Sequence, residues 1–142
     1  MDESALGPIE GPLMRAKLHI RGGKRRLCQG KISAGIVTLY DAFCAAMEWY
    51  IASPERRDAL IIKEKDNLKD ERGIYNVLIR SGVLDGRFNY ESFDRIVEKA
   101  AYEEMPDYDY RERLNSIESV MTQLGVMPFN ENELPPEDPL TF

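Results

Sequence analysis

Between Leu13 and Tyr40 the chain carries seven basic residues, Arg15, Lys17, Arg21, Lys24, Arg25, Arg26 and Lys31, and no aspartate or glutamate. Clustered lysines and arginines gain affinity for nucleic acid by releasing its counterions, and arginine adds a planar fork of donors that matches phosphate oxygens. Arg15, Arg21, Lys24, Arg25 and Arg26 are therefore candidates to hold the phosphates of a nucleotide or an RNA. Against this, no aromatic residue interleaves with them to stack on bases, and the net charge of −6 repels a polyanion at long range. The chain has 19 basic and 25 acidic residues in all, so 12 bases face 25 acids outside this segment. Acidic neighbours such as Asp41, Glu48 or the last helices, or the acidic face of a second subunit, are thus the alternative partners of the basic segment.

Catalytic chemistry finds little support. His19 is the only histidine, which excludes a multi-histidine metal site, and the cations around it favour a neutral ring. Glu103, Glu104, Asp107 and Asp109 gather four carboxylates without the spacing of a calcium loop, and read as a solvated acidic turn. Gly22-Gly23-Lys24 lacks the preceding strand and the second spaced glycine of a phosphate loop. No serine nucleophile elbow is present. Cys28 and Cys44 lie at different distances from a turn near Gly30, so they should not pair, and both read as reduced, small apolar residues. We expect no catalytic residue, no metal and no cofactor.

The elements that must position these residues are helices. The most regular is 32–52, where Ile32, Ile36, Leu39, Tyr40, Phe43, Met47, Tyr50 and Ile51 repeat at helical spacing. Its second face, Gly35, Ala42, Ala46 and Trp49, is also uncharged, which marks a central helix or one that packs on a second copy of the chain. Those four residues are the candidate interface. Before it, Leu13 to Gln29 forms a helix interrupted by Gly22-Gly23, a kink or a close helix crossing. Ser53-Pro54-Glu55 is a good helix start, followed by a short helix and a charged loop up to Asp70. Further helices are expected at 71–81, stopped by Gly82, at 90–104, capped by Asn89, and at 109–124, stopped by Gly125. Residues 1–12, with two glycines and two prolines, read as a flexible arm. Residues 128–142 contain four prolines, four acids and no base, and read as an extended or disordered tail whose Phe129, Leu134, Leu140 and Phe142 could dock on the body or on a partner.

The stretch from Leu13 through Gly30-Lys31 to Ala34, Tyr40, Ala42, Ala45, Ala46 and Ile51 resembles the first helical hairpin of HEPN-type domains. Tyr75, Leu78 and Gly82, followed by Phe93, Ile96, Ala100, Ala101 and Tyr102, extend the resemblance. It implies a helical bundle, often dimeric. Catalytic HEPN members are ribonucleases with an arginine followed shortly by a histidine. Here Arg15 is too close to His19 and in the wrong helix, so the resemblance implies a non-catalytic member that binds a partner or a nucleotide.

The expectation is an all-α protein, an antiparallel bundle of about five helices spanning 13–127 around a central apolar helix. The longest apolar run, Ala42 to Met47, is far short of the ~20 residues a membrane crossing needs, and no basic-then-apolar leader opens the chain, so a cytoplasmic setting is expected. The functional expectation is a self-associating, non-enzymatic interaction module. The alternative is a nucleotide- or RNA-phosphate-binding module.

Overall fold

The computed structural model describes residues 6–141, which form six helices and no strand. They are α1 Gly7–Cys28, α2 Ile32–Ala52, α3 Pro54–Asp58, α4 Glu71–Arg80, α5 Tyr90–Tyr102 and α6 Arg111–Leu124. Single 3-10 turns follow at Glu131–Glu133 and Pro139–Thr141. Sequence punctuation sets most boundaries. Asn89 accepts a hydrogen bond from the Ser92 N–H at 3.0 Å, and Ser53 and Asp70 cap α3 and α4 in the same way. At the end of α1, Gly30 at φ +79° lets its own N–H reach Leu27 O and the Lys31 N–H reach Arg26 O.

Packing is organised by α2, which meets each of the other five helices. Ile36, Leu39, Ala42, Phe43, Ala46 and Met47 are fully buried, leaving a narrow exposed stripe at Ala34, Asp41 and Glu48. The second face of α2 is therefore covered within the chain. Gly35, Ala42 and Ala46, expected to meet a second copy, are buried by the protein's own helices. Trp49 is half-buried under the Arg56 guanidinium, which sits 4.0 Å from the ring centroid and donates to the Trp49 and Tyr50 carbonyls. The other flank of α2 meets an aromatic cluster. Phe43 lies 5.1 Å from Phe88 and 6.1 Å from Tyr90, while the Tyr75 hydroxyl donates to Phe88 O at 2.7 Å.

The Gly22-Gly23 pair makes a close crossing. A Cβ on Gly23 would lie 2.9 Å from Leu39 Cδ2, and one on Gly35 would lie 2.6 Å from Leu27 Cδ2 and 3.1 Å from the Leu27 backbone nitrogen. Each helix thus offers a glycine to a leucine of the other.

One expectation needs correction. Residues 7–12 belong to α1 rather than to a flexible arm, and 1–5 lie outside the described residues. Pro8 sits in the first turn, where no intrahelical donor is lost, and Gly11 and Pro12 are buried, so packing sustains a turn that Pro12 weakens. On α5, Phe93 and Ala100 turn into the core, whereas Ala101 is exposed.

The charged segment between α3 and α4 is ordered by polar contacts. Arg80 grips both Asp66 oxygens at 2.7 and 3.1 Å and also donates to Ile61 O, while Ser81 Oγ accepts from the Ile61 N–H. A Cβ on Gly73 would come within 2.0 Å of Asn67 O, so this loop presses directly on the backbone of α4.

Two outcomes follow for stability. G35A should lower stability by about 1–2 kcal/mol in urea unfolding, since overpacking costs about 1–3 kcal/mol against at most about 1 kcal/mol of helix propensity regained. Hydrogen bonds from Arg80 and from the Lys63 N–H hold the Asp66 carboxyl down to about 2 from its ordinary 3.8. A depressed carboxylate stabilises fully above its unfolded value and loses that contribution as pH falls. Stability should therefore decline between pH 4 and pH 2 in the native chain, and D66N should flatten that limb in acid titrations followed by circular dichroism.

Candidate site on the basic face of α1

Residues spaced by four on a helix share one face, and Leu13, Lys17, Arg21 and Arg25 form such a stripe along α1. The tail lies along it. The Phe129 ring sits under the Lys17 ammonium at 5.6 Å, and Leu134 is buried. Beside Leu134 is a cleft of about 190 Å³ lined by Leu6, Leu13, Met14, Lys17 and Asn130 among others. This is room for a side chain and smaller than the usual 300–1,000 Å³ of a ligand pocket.

Further along the stripe Glu137 lies between two arginines. Its Oε1 is 3.1 Å from Arg21 Nε, and its Oε2 is in contact with Arg25 Nε. The side chains are 16%, 14% and 17% exposed for Arg21, Arg25 and Glu137, so water screens this group far less than a surface pair. The tail is thus docked, with Phe129, Leu134 and Glu137 as side-chain anchors that hold it, although its sequence reads as disordered. Leu140 is exposed, and Phe142 lies outside the described residues.

The other basic candidates are distributed differently. Arg15 Nη2 donates to Glu48 on α2 at 2.6 Å, one of the two α2 charges the sequence marks as a receiver. Lys24 Nζ is 3.5 Å from Glu118 of α6. Arg26 folds back over its own helix, where a Cβ on Gly22 would come within 2.9 Å of its Nη1. Of the five candidates, Arg21 and Arg25 converge on one group, Glu137. Glu137 escapes notice in a reading for chemistry, yet a signal is present: a segment without acids precedes a tail without bases.

Elsewhere the chemistry is quiet. Burial pushes the Cys44 thiol up to about 12, against a smaller lowering by its hydrogen bond with Tyr40, so it stays protonated at neutral pH. Both cysteines are free. Among the described residues no three His, Cys, Asp or Glu side chains gather as a metal site requires, and no helix is long and apolar enough to cross a membrane. No protein-family model, curated protein or solved structure matches the chain.

The docking of the tail is testable. E137A should leave far-UV helicity unchanged but speed proteolytic cleavage within 128–141 by about tenfold or more. A charge-assisted contact contributes about 1.5–3 kcal/mol, and tenfold corresponds to about 1.4 kcal/mol. Equal cleavage rates in the two chains would show that Glu137 does not hold the tail.

Proposed function

We propose that this chain is a non-enzymatic helical interaction module of the cytoplasm, whose basic α1 face receives an acidic segment of another polypeptide through apolar anchors and one central carboxylate. The observation that carries this reading is its own tail, whose Phe129, Leu134 and Glu137 occupy that face as a bound peptide would. Of the tail's backbone hydrogen bonds, Glu133 N–H to Asn130 O and Leu134 N–H to Glu131 O are internal to it. Attachment through side chains rather than a shared backbone ladder suits exchange of one segment for another.

Of the four α2 residues expected to carry self-association, Gly35, Ala42 and Ala46 are covered within the chain and Trp49 is half-buried under Arg56, which does not favour that face. The homodimer remains a proposal only in the form of tail exchange, with the tail of one copy on α1 of the next. The phosphate-backbone reading is less favoured. A polyanion would have to displace Glu48, Glu118 and Glu137 from Arg15, Lys24 and the Arg21–Arg25 pair, and the acidic remainder of the chain would oppose its approach. A non-catalytic HEPN-type bundle would serve the same role, although fold alone does not assign one.

The direct test is titration of a fluorescein-labelled peptide of residues 128–142 into the full chain carrying E137Q, which weakens the competing tail. Saturable binding with a Kd on the order of 10–100 µM is expected, weakening only modestly between 50 and 300 mM salt. Absence of peptide binding, together with RNA binding that falls steeply with salt, would replace this reading with the nucleic-acid one.

A further inference from the structure

Glu137 leaves part of the donor capacity of Arg21 unused, whereas Arg25 Nη1 is already committed to Gln29 Oε1 at 3.1 Å. Each guanidinium offers five N–H donors in a rigid plane, while a carboxylate accepts with two oxygens in one plane. The mismatch is visible at Arg21. Its Nε is fully buried and lies 3.1 Å from Glu137 Oε1, yet off the line a hydrogen bond requires, so that N–H has no directed acceptor among the described residues. A phosphomonoester has three terminal oxygens in a tetrahedral array and carries between one and a half and two negative charges at neutral pH. Its third oxygen can give the Arg21 N–H the directed acceptor that the flat carboxylate, shared with Arg25, does not supply.

We propose that Glu137 is a resident stand-in, and that the preferred occupant of the Arg21–Arg25 pair is a phosphorylated serine or threonine on a partner polypeptide. This rests on the reading of the α1 face as a peptide-binding surface. The neighbouring features select a peptide over a nucleotide. The α1 sequence contains no Phe, Tyr or Trp to stack on a base, and the adjoining cleft of about 190 Å³, walled by Leu6, Leu13, Met14 and Leu134, has the size of a side chain rather than of a nucleoside. The tail supplies the template: an aromatic anchor at Phe129, an aliphatic anchor at Leu134 and the anion three residues later. Because the tail is tethered, its effective concentration is on the order of millimolar, so an unmodified segment in trans competes poorly while a dianion gains on it. The tail then sets a threshold that phosphorylation of the partner overcomes.

The test uses two peptides of residues 128–142, one unmodified and one with phosphoserine substituted for Glu137, titrated into the full chain carrying E137Q. The phosphopeptide should bind at least tenfold more tightly. Adding R21K, which keeps the charge and removes the fork, should reduce that advantage to twofold or less. A second readout on the E137Q chain alone is the 31P shift of the phosphopeptide across pH, in which binding should lower the second phosphate pKa. Binding of neither peptide overturns both this proposal and the reading beneath it. Binding of the two peptides with equal affinity overturns this proposal alone. If AMP or inorganic phosphate binds as tightly as the phosphopeptide, the site is one for free phosphate and the peptide assignment fails.

Discussion

Leu27 of α1 lies over Gly35 of α2, and Leu39 of α2 lies over Gly23 of α1, a reciprocal contact in which each helix offers a backbone surface to a leucine of the other. Interiors are packed near crystal density, so such a contact admits one register and one approach. With α1 and α2 fixed in that way, Ala16, Ile20 and Leu27 face inward, and the stripe of Lys17, Arg21 and Arg25 is left on the outer side of α1. The candidate site is a consequence of the glycine crossing. A kink at Gly22-Gly23 would instead have splayed the basic residues over two directions.

The same contact explains how Gly35, Ala42 and Ala46 of α2 come to be covered within the chain. Once α1 covers one side of α2, helices α3 to α6 have only the remaining faces to fill, and an aromatic cluster of Phe43, Tyr75, Phe88, Tyr90 and Phe93 closes the flank toward α4 and α5. Two polar fixtures complete this side. Ser33 Oγ donates to Glu103 O beyond the end of α5, and the Tyr40 and Tyr90 hydroxyls meet at 3.3 Å. Desolvation raises both phenol pKa values, which keeps the pair neutral and suited to a core.

Charge is settled by position rather than by composition. The acid-free basic segment and the base-free tail are far apart in sequence, yet Glu137 reaches the pair formed by Arg21 and Arg25. Arg15 and Lys24, on the same helix, are drawn to α2 and α6 instead. One helix thus both anchors the bundle through ion pairs and holds the carboxylate of the tail.

The sequence by itself determined the helices and most of their ends, the start of α1 excepted, because apolar residues at helical spacing and capping residues such as Ser53, Asn89 and Gly125 act over a few positions of the chain. It also determined that α2 is central and that Arg15 to Arg26 must find anionic partners, since both follow from composition along one element. Only the tertiary structure decided which partners those are. It decided that Gly35, Ala42 and Ala46 serve intramolecular packing, that residues 7–12 extend α1, and that the proline-rich tail docks through Phe129, Leu134 and Glu137. Each of these depends on groups distant in sequence and brought together by burial, and local propensity carries no information about such meetings. The loop at 59–70 belongs with them, because its order rests on Arg80 reaching back to Asp66 and on the missing side chain of Gly73.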